Sequence, residues 1–301
     1  MLPYRTYEFV EGWVFVLQQI DTHNFINRIK PKNSSMEMQK LNNLDWEVVI
    51  PIISYGVRFG VRVNRAAYLD RIFEHLPPGS KPSKSHVIDR LYSFVIGKQK
   101  KLYNDGSEIA RISNLTRLLD AFESEVQLYV AEYAPKRVFI HAGVVGWQGR
   151  AIVIPGRSYS GKTTLVAEFV RAGAIYYSDE YAVLDSNGNV HPYARPLGIR
   201  KTDAFEQTKY KVETLGGVAG KKPLPVGLVI VSKYKKGAKW RPQPLSAGQG
   251  TLALLENSVA IRRQPELTLS TLQKVVPNAQ ILKSVRGEAS SVVEAVLQNW
   301  D

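Results

Sequence analysis

The stretch Gly156-Arg157-Ser158-Tyr159-Ser160-Gly161-Lys162-Thr163 fits the pattern G-x-x-x-x-G-K-[ST] at every fixed position. Such a loop restricts the chain on both sides. Ala151 to Ile154 is an apolar run that reads as a short buried strand, and Pro155-Gly156 ends it. From Thr164 to Ala172, Leu165, Val166, Phe169 and Val170 recur at helical spacing, and Gly173 sits where a helix stops. Strand, loop and helix in this order turn backbone N–H groups inward and aim the positive end of a helix dipole at the same point. The two glycines allow the tight path and close approach to phosphate oxygens. Lys162 reaches for β- and γ-phosphates, the Thr163 hydroxyl is a ligand type for Mg²⁺, and the whole run from Gly156 to Thr164 is the expected nucleotide cradle. The plain alternative is a glycine-rich turn with a solvated lysine.

The chain has 301 residues and 44% hydrophobic content, enough for one large or two ordinary domains with a substantial core. It contains no cysteine, which excludes disulfides, thiolate metal sites and cysteine nucleophiles and suits a reducing, cytoplasmic setting. No apolar run reaches the ~18 residues of a bilayer span, and the opening residues Met1 to Glu8 do not read as a secretory leader. The net charge of +13 is scattered, with modest clusters at Lys98 to Lys101, Lys221-Lys222 and Lys233 to Lys236. That distribution favours attraction of ATP or an acidic peptide over nucleic-acid or membrane binding.

Residues 1–135 read as a smaller α+β region with little visible chemistry, assigned to partner recognition from its position alone. Trp13 to Leu17 is a strand or part of a helix. Pro51 to Val63 is strand material, and a helix is expected from Arg65 to His75 before Pro77-Pro78-Gly79. Leu91 to Ile96 and Lys101 to Tyr103 read as strands, with Asn104-Asp105-Gly106 as turn residues. Asn114 to Ala134 carries the longest helical pattern, with Asn114 or Ser113 as its cap. His75 and His86 are isolated histidines without a metal pattern.

Residues 136–301 hold the expected catalytic domain. Arg137 to Val145 and Ala151 to Ile154 are strands around a Gln148-Gly149 turn, which sets His141 on a strand two elements before the loop. Ala174 to Tyr177 is a short strand ending in Ser178-Asp179-Glu180, a position suited to Mg²⁺ coordination or a base. Tyr181 to Leu184 and Val190 suggest a hairpin. Residues 203–223, with Gly216-Gly217 and Gly220, read as a mobile basic loop. Val226 to Ser232 and Ala279 to Val285 read as strands. Thr251 to Glu256, Leu267 to Val275 and Glu288 to Trp300 read as helices.

Taken together, Phe139 to Val145, the Gly156 to Thr163 loop, Arg171-Ala172-Gly173-Ala174 and Ser178-Asp179-Glu180 resemble the HPr kinase/phosphorylase superfamily, and more closely its HPr-kinase-like relatives. The resemblance covers roughly residues 138–200 and continues more weakly to the closing helix. It implies an α/β kinase fold of the phosphoenolpyruvate-carboxykinase-like type, ATP and Mg²⁺, and a serine hydroxyl on a protein or peptide as acceptor. By this likeness Asp179 takes the acceptor's proton, His141 sits beside Asp179 and holds or tunes that carboxylate, Lys162 serves the phosphates, and Thr163 and Glu180 place the metal. The family's usual loop ends Lys-Ser-Glu, whereas this one ends Lys162-Thr163-Thr164, and Arg195 to Arg200 echoes only faintly the family's later glutamate-bearing segment. Arg195, Arg200 and Arg262 are further candidate phosphate contacts. The alternatives are a nucleotide-binding regulatory module without phosphoryl transfer and a small-molecule kinase. A homo-oligomer is left open.

Overall fold

The computed structural model describes residues 6–9, 13–16, 36–85, 87–157, 160–200 and 207–300. Ser158, Tyr159, His86, Asn33 to Ser35 and the side chain of Arg200 lie outside what is described, as do residues 201–206 of the expected loop. The chain is mixed α/β and divides into two compact units, residues 1–130 and 131–301. Among the described residues no helix is long and apolar enough to cross a membrane.

In the first unit β1 (Thr6–Phe9) pairs antiparallel with β2 (Trp13–Val16), and α1 (Met36–Asn42) follows. The expected strand over Pro51 to Val63 is a hairpin: β3 (Val48–Ser54) and β4 (Val57–Val63) pair antiparallel. Tyr55 and Gly56, both at positive φ (49° and 87°), make the two-residue turn. The helix expected from Arg65 to His75 is a 3₁₀ turn, Ala66–Tyr68, and then only α2 (Leu69–Phe73). Arg65 gives its start no side-chain cap, the Ala66 amide instead donates to Glu47 Oε2 (2.6 Å), and Pro77-Pro78 block extension beyond. A six-stranded sheet runs β5 (Lys81–Pro82), β3, β4, β6 (Leu91–Val95), β7 (Lys100–Asn104), β8 (Ser107–Ile112). β8 was not anticipated, because its residues are exposed or half-buried and offer no alternating apolar face. α3 (Leu115–Tyr133) starts at Asn114, whose Oδ1 accepts from the Arg117 amide. Phe122 of α3 meets Tyr92 and Phe94 edge-to-face, with ring centres 5.4 and 4.9 Å apart.

The second unit is built on β9 (Val138–Trp147), β10 (Arg150–Pro155), β11 (Ile175–Ser178), β12 (Tyr181–Leu184), β13 (Asn189–His191), β16 (Leu224–Tyr234), β17 (Gln243–Pro244) and β18 (Gln280–Arg286). β9 pairs with β10 on one edge and with β11 and β12 on the other. β12 pairs with β13, β13 with β16, and β16 returns parallel to β10, so these pairings close a ring; β18 then adds parallel to β16. Strand alternation sends Ile152, Ile154, Leu228 and Ile230 to a core shared with α4 (Lys162–Arg171) and α7 (Ala289–Gln298). Ala151, Val153 and Val229 face the other core, with Leu254 of α5 (Ala247–Leu255) and Leu272 of α6 (Pro265–Val275).

Between these elements, β14 (Leu197–Arg200) and β15 (Gln207–Tyr210) form an unanticipated antiparallel pair. The Gly216 to Pro223 stretch, expected to be a mobile loop, is tied down. The Tyr176 amide donates to the Val218 carbonyl (2.9 Å), and the Gly220 amide donates to the Tyr176 carbonyl (2.7 Å). Its glycines serve closeness: a Cβ on Gly217 would collide with Val170 and Val212, and one on Gly220 with the Tyr177 ring.

Candidate functional site

The loop after β10 is fixed at both ends by backbone geometry. The Gly156 amide donates to the His141 carbonyl (3.0 Å), and the Ser160 amide donates to the Arg157 carbonyl (3.2 Å). A Cβ at Gly156 would come 2.6 Å from Ser160 Oγ, so a larger residue there requires the Ser160 hydroxyl to move. Gly161 caps α4 in the left-handed region (φ 81°), and no side chain caps this helix start. No acidic residue occupies the first turn, so the amides and dipole end of α4 keep their capacity for an anion.

Lys162 is the first residue of α4 and is 8% exposed, yet its ammonium makes no hydrogen bond or ion pair among the described residues. Thr163 is half-buried and Thr164 exposed. Asp179 follows β11 and is 8% exposed. The Gly198 amide donates to its Oδ2 (3.2 Å), and the Tyr176 hydroxyl lies 3.0 Å from its Oδ1. That hydroxyl is also 2.8 Å from the Arg195 carbonyl; its single proton serves one acceptor at a time. Burial pushes the Asp179 carboxyl above the usual carboxylate range, with Glu180 adding to the rise, while the Tyr176 and Gly198 hydrogen bonds and the Lys162 charge pull against it.

His141 stands opposite Tyr181 in the β9–β12 register, its ring 4.8 Å from the Tyr181 ring. Burial, and then the charge of Lys162, hold the His141 imidazole below its usual range. Lys162 therefore acts electrostatically on both His141 and Asp179, three side chains drawn from β9, α4 and the end of β11. Glu180 is half-buried, and its carboxylate makes no hydrogen bond or ion pair among the described residues. Glu180 and Thr163 carry oxygen donors of the type Mg²⁺ takes, and no hydrogen bond links the two among the described residues.

Of the three arginines singled out from the sequence, Arg195 contributes its carbonyl to Tyr176 and its charge to the surroundings of Tyr181. Arg262 is exposed in the turn before α6. Sequence reasoning passed over Tyr176, hidden in an apolar run, and Arg286, which ends β18. Arg286 Nη2 donates to the Gly161 carbonyl (2.7 Å). A signal was present: an arginine followed by Gly287 closes an otherwise ordinary strand pattern. In the first unit, His75 is not isolated. Its Nδ1 is hydrogen-bonded to Glu123, and Asp120 lies in the same group, with ligand-type atoms within 4.8 Å of one another. No family model matches the chain, and comparison with curated proteins found no similar one.

Proposed function

We propose that the chain is an ATP-dependent kinase that transfers the γ-phosphate to a serine hydroxyl of a protein or peptide, on an α/β core of the HPr-kinase and phosphoenolpyruvate-carboxykinase-like type. One observation carries the reading. Lys162, a residue only 8% exposed whose ammonium has no hydrogen-bond or ion-pair partner among the described residues, opens α4, and its charge is felt by the buried carboxylate of Asp179 and the imidazole of His141. A lysine without a counter-ion at a helix start is a ready partner for an anion.

Phosphoryl transfer needs positioning and charge neutralisation more than covalent chemistry from the protein. ATP brings the phosphoryl group and Mg²⁺ brings added positive charge. The backbone from Gly156 to Thr164 and the Lys162 ammonium hold the phosphates. Thr163 and Glu180 are the expected metal ligands. Asp179 orients the acceptor hydroxyl and receives its proton; two of its four lone-pair positions are used by Tyr176 and Gly198, which leaves acceptor capacity. A pKa raised by burial makes the carboxylate a better proton acceptor near neutrality. His141, kept neutral, stands beside the Lys162 charge without adding a second one.

The test is transfer of labelled γ-phosphate, with Mg²⁺, to a library of serine-containing peptides. Transfer by the wild type and its loss in Asp179→Asn support the reading. Equal transfer by both would remove Asp179 as the base. A second reading, a nucleotide-binding regulatory module without transfer, is favoured by the low exposure of Asp179. It predicts calorimetric ATP binding with no acceptor labelling.

A further inference from the structure

Arg286 is 2% exposed at the end of β18. Nη1 donates to the Gly287 carbonyl (3.1 Å) and Nη2 to the Gly161 carbonyl (2.7 Å), while Nε has no partner. The guanidinium lies 5.6 Å from the centre of the Tyr234 ring, and the Tyr234 hydroxyl donates to Glu288 (3.3 Å). No carboxylate forms an ion pair with Arg286 among the described residues. A charge taken out of water is ordinarily matched by an opposite one; here Arg286 has two carbonyls, the Tyr234 ring and the charge of Glu288, which forms no ion pair with it among the described residues. It also sits directly on the loop, because a Cβ on Gly161 would collide with Nη2.

The Gly161 carbonyl already accepts the first helical bond of α4, from Leu165 (3.2 Å). Arg286 takes its second lone pair. A trans peptide is planar, so its carbonyl and the next amide point in opposite directions. Holding the Gly161 carbonyl on the helix side therefore turns the Lys162 amide toward the concave side of the loop.

We propose that Arg286, outside the motif, is a positioning residue for the phosphate loop and the standing counter-charge for a bound nucleoside polyphosphate. The inference rests on the nucleotide-binding part of the reading above. It assigns to β18 a role that the eight-residue pattern does not contain, and it gives a reason for a buried arginine with no ion-pair partner among the described residues.

The test is the affinity of the full chain for Mg²⁺·ATP, measured by calorimetry for wild type, Arg286→Met and Arg286→Lys, with melting temperatures taken without nucleotide. Loss of a charge at this range weakens binding about tenfold or more. Arg286→Met is expected to show that loss with its unliganded melting temperature retained. Arg286→Lys, which keeps the charge and loses the fork, is expected to recover most of it. A merely structural arginine would instead lower the melting temperature and leave the charge-retaining variant as weak as the neutral one. Arg286→Gln replaces Arg286→Met should the latter not fold. If wild type binds no Mg²⁺·ATP, the functional reading falls and this inference with it. If wild type binds and the neutral variant binds within about twofold of it, or the lysine variant recovers nothing, only the role of Arg286 is overturned.

Discussion

Arg62 in the first unit and Lys162 in the second are both basic residues with little exposed surface, and they are treated in opposite ways. Arg62 is fully buried and engaged on every side. It donates to Ser93 Oγ (2.7 Å), to Asn42 Oδ1 (2.9 Å) and to Met38 Sδ (3.6 Å), and its guanidinium lies 4.2 Å from the Trp46 ring centre. Burial still lowers its pKa to about 10. Lys162 has no such shell among the described residues. A cation that serves the fold is satisfied by the fold, whereas on the proposed reading one left without such partners keeps its charge for a bound phosphate.

The largest expected effect lies at the acid end of the second site. Asp179→Asn should reduce phosphoryl transfer by ~10²–10⁴, the usual contribution of a positioned proton acceptor, while Mg²⁺·ATP binding by calorimetry stays within a few-fold. Next come the two cations themselves. Arg62→Met strands Ser93 and Asn42 and should cost about 2–4 kcal/mol in urea unfolding. Lys162→Met should leave unfolding unchanged or slightly improved and weaken Mg²⁺·ATP binding roughly tenfold or more. If both substitutions destabilise equally, the contrast between them is wrong. Gly161→Ala forces an L-residue into the left-handed region at about 1–2 kcal/mol and drives its Cβ into Arg286; a melting curve reads the first effect and nucleotide affinity the second.

The smallest effect is on pH dependence. The His141 pKa is lowered from 6.5 in the folded chain, so the unfolded state binds the proton first as pH falls. Its contribution to stability is full above pH 6.5 and declines as pH drops from there toward the folded value, by at most about 1.4 kcal/mol per pH unit. His141→Gln should flatten that stretch of the stability–pH curve. Asp179, whose pKa is raised, contributes with the opposite sign and sheds stability as pH rises from 3.8 through its folded value. Only the difference between wild type and His141→Gln isolates the imidazole.

Local pattern made much of the second unit legible. The Ala151 to Ile154 run, the loop and the Leu165, Val166, Phe169, Val170 spacing became β10, the turn and α4, because one buried face per element leaves a periodic trace. Asp179 was visible because it follows a short apolar run, as strand-end residues do. What stayed hidden was held by partners far away in sequence. Gly198 offers Asp179 an amide, and Arg286 grips Gly161 across 125 positions. The Gly198 bond leaves no mark on its own neighbourhood, and the Arg286 bond leaves only the Arg286-Gly287 pair at a strand end, which does not name its partner. The Gly216 to Gly220 segment misled for a different reason. Glycine reports either freedom or crowding, and only the surrounding Val170, Val212 and Tyr177 side chains decide which.

The parallel pairing of β10 with β16 and of β16 with β18 joins Ala151 to Val226 and Leu228 to Gln280. Such distant closures add to the entropic barrier and come late in assembly. A chain emerging from the ribosome thus displays its glycine-rich signature well before the strand that steadies it has been made. If the proposed role of Arg286 holds, newly synthesised protein passes through an interval in which the motif is complete as a text but blind to its nucleotide, and the last strand translated is what gives it sight.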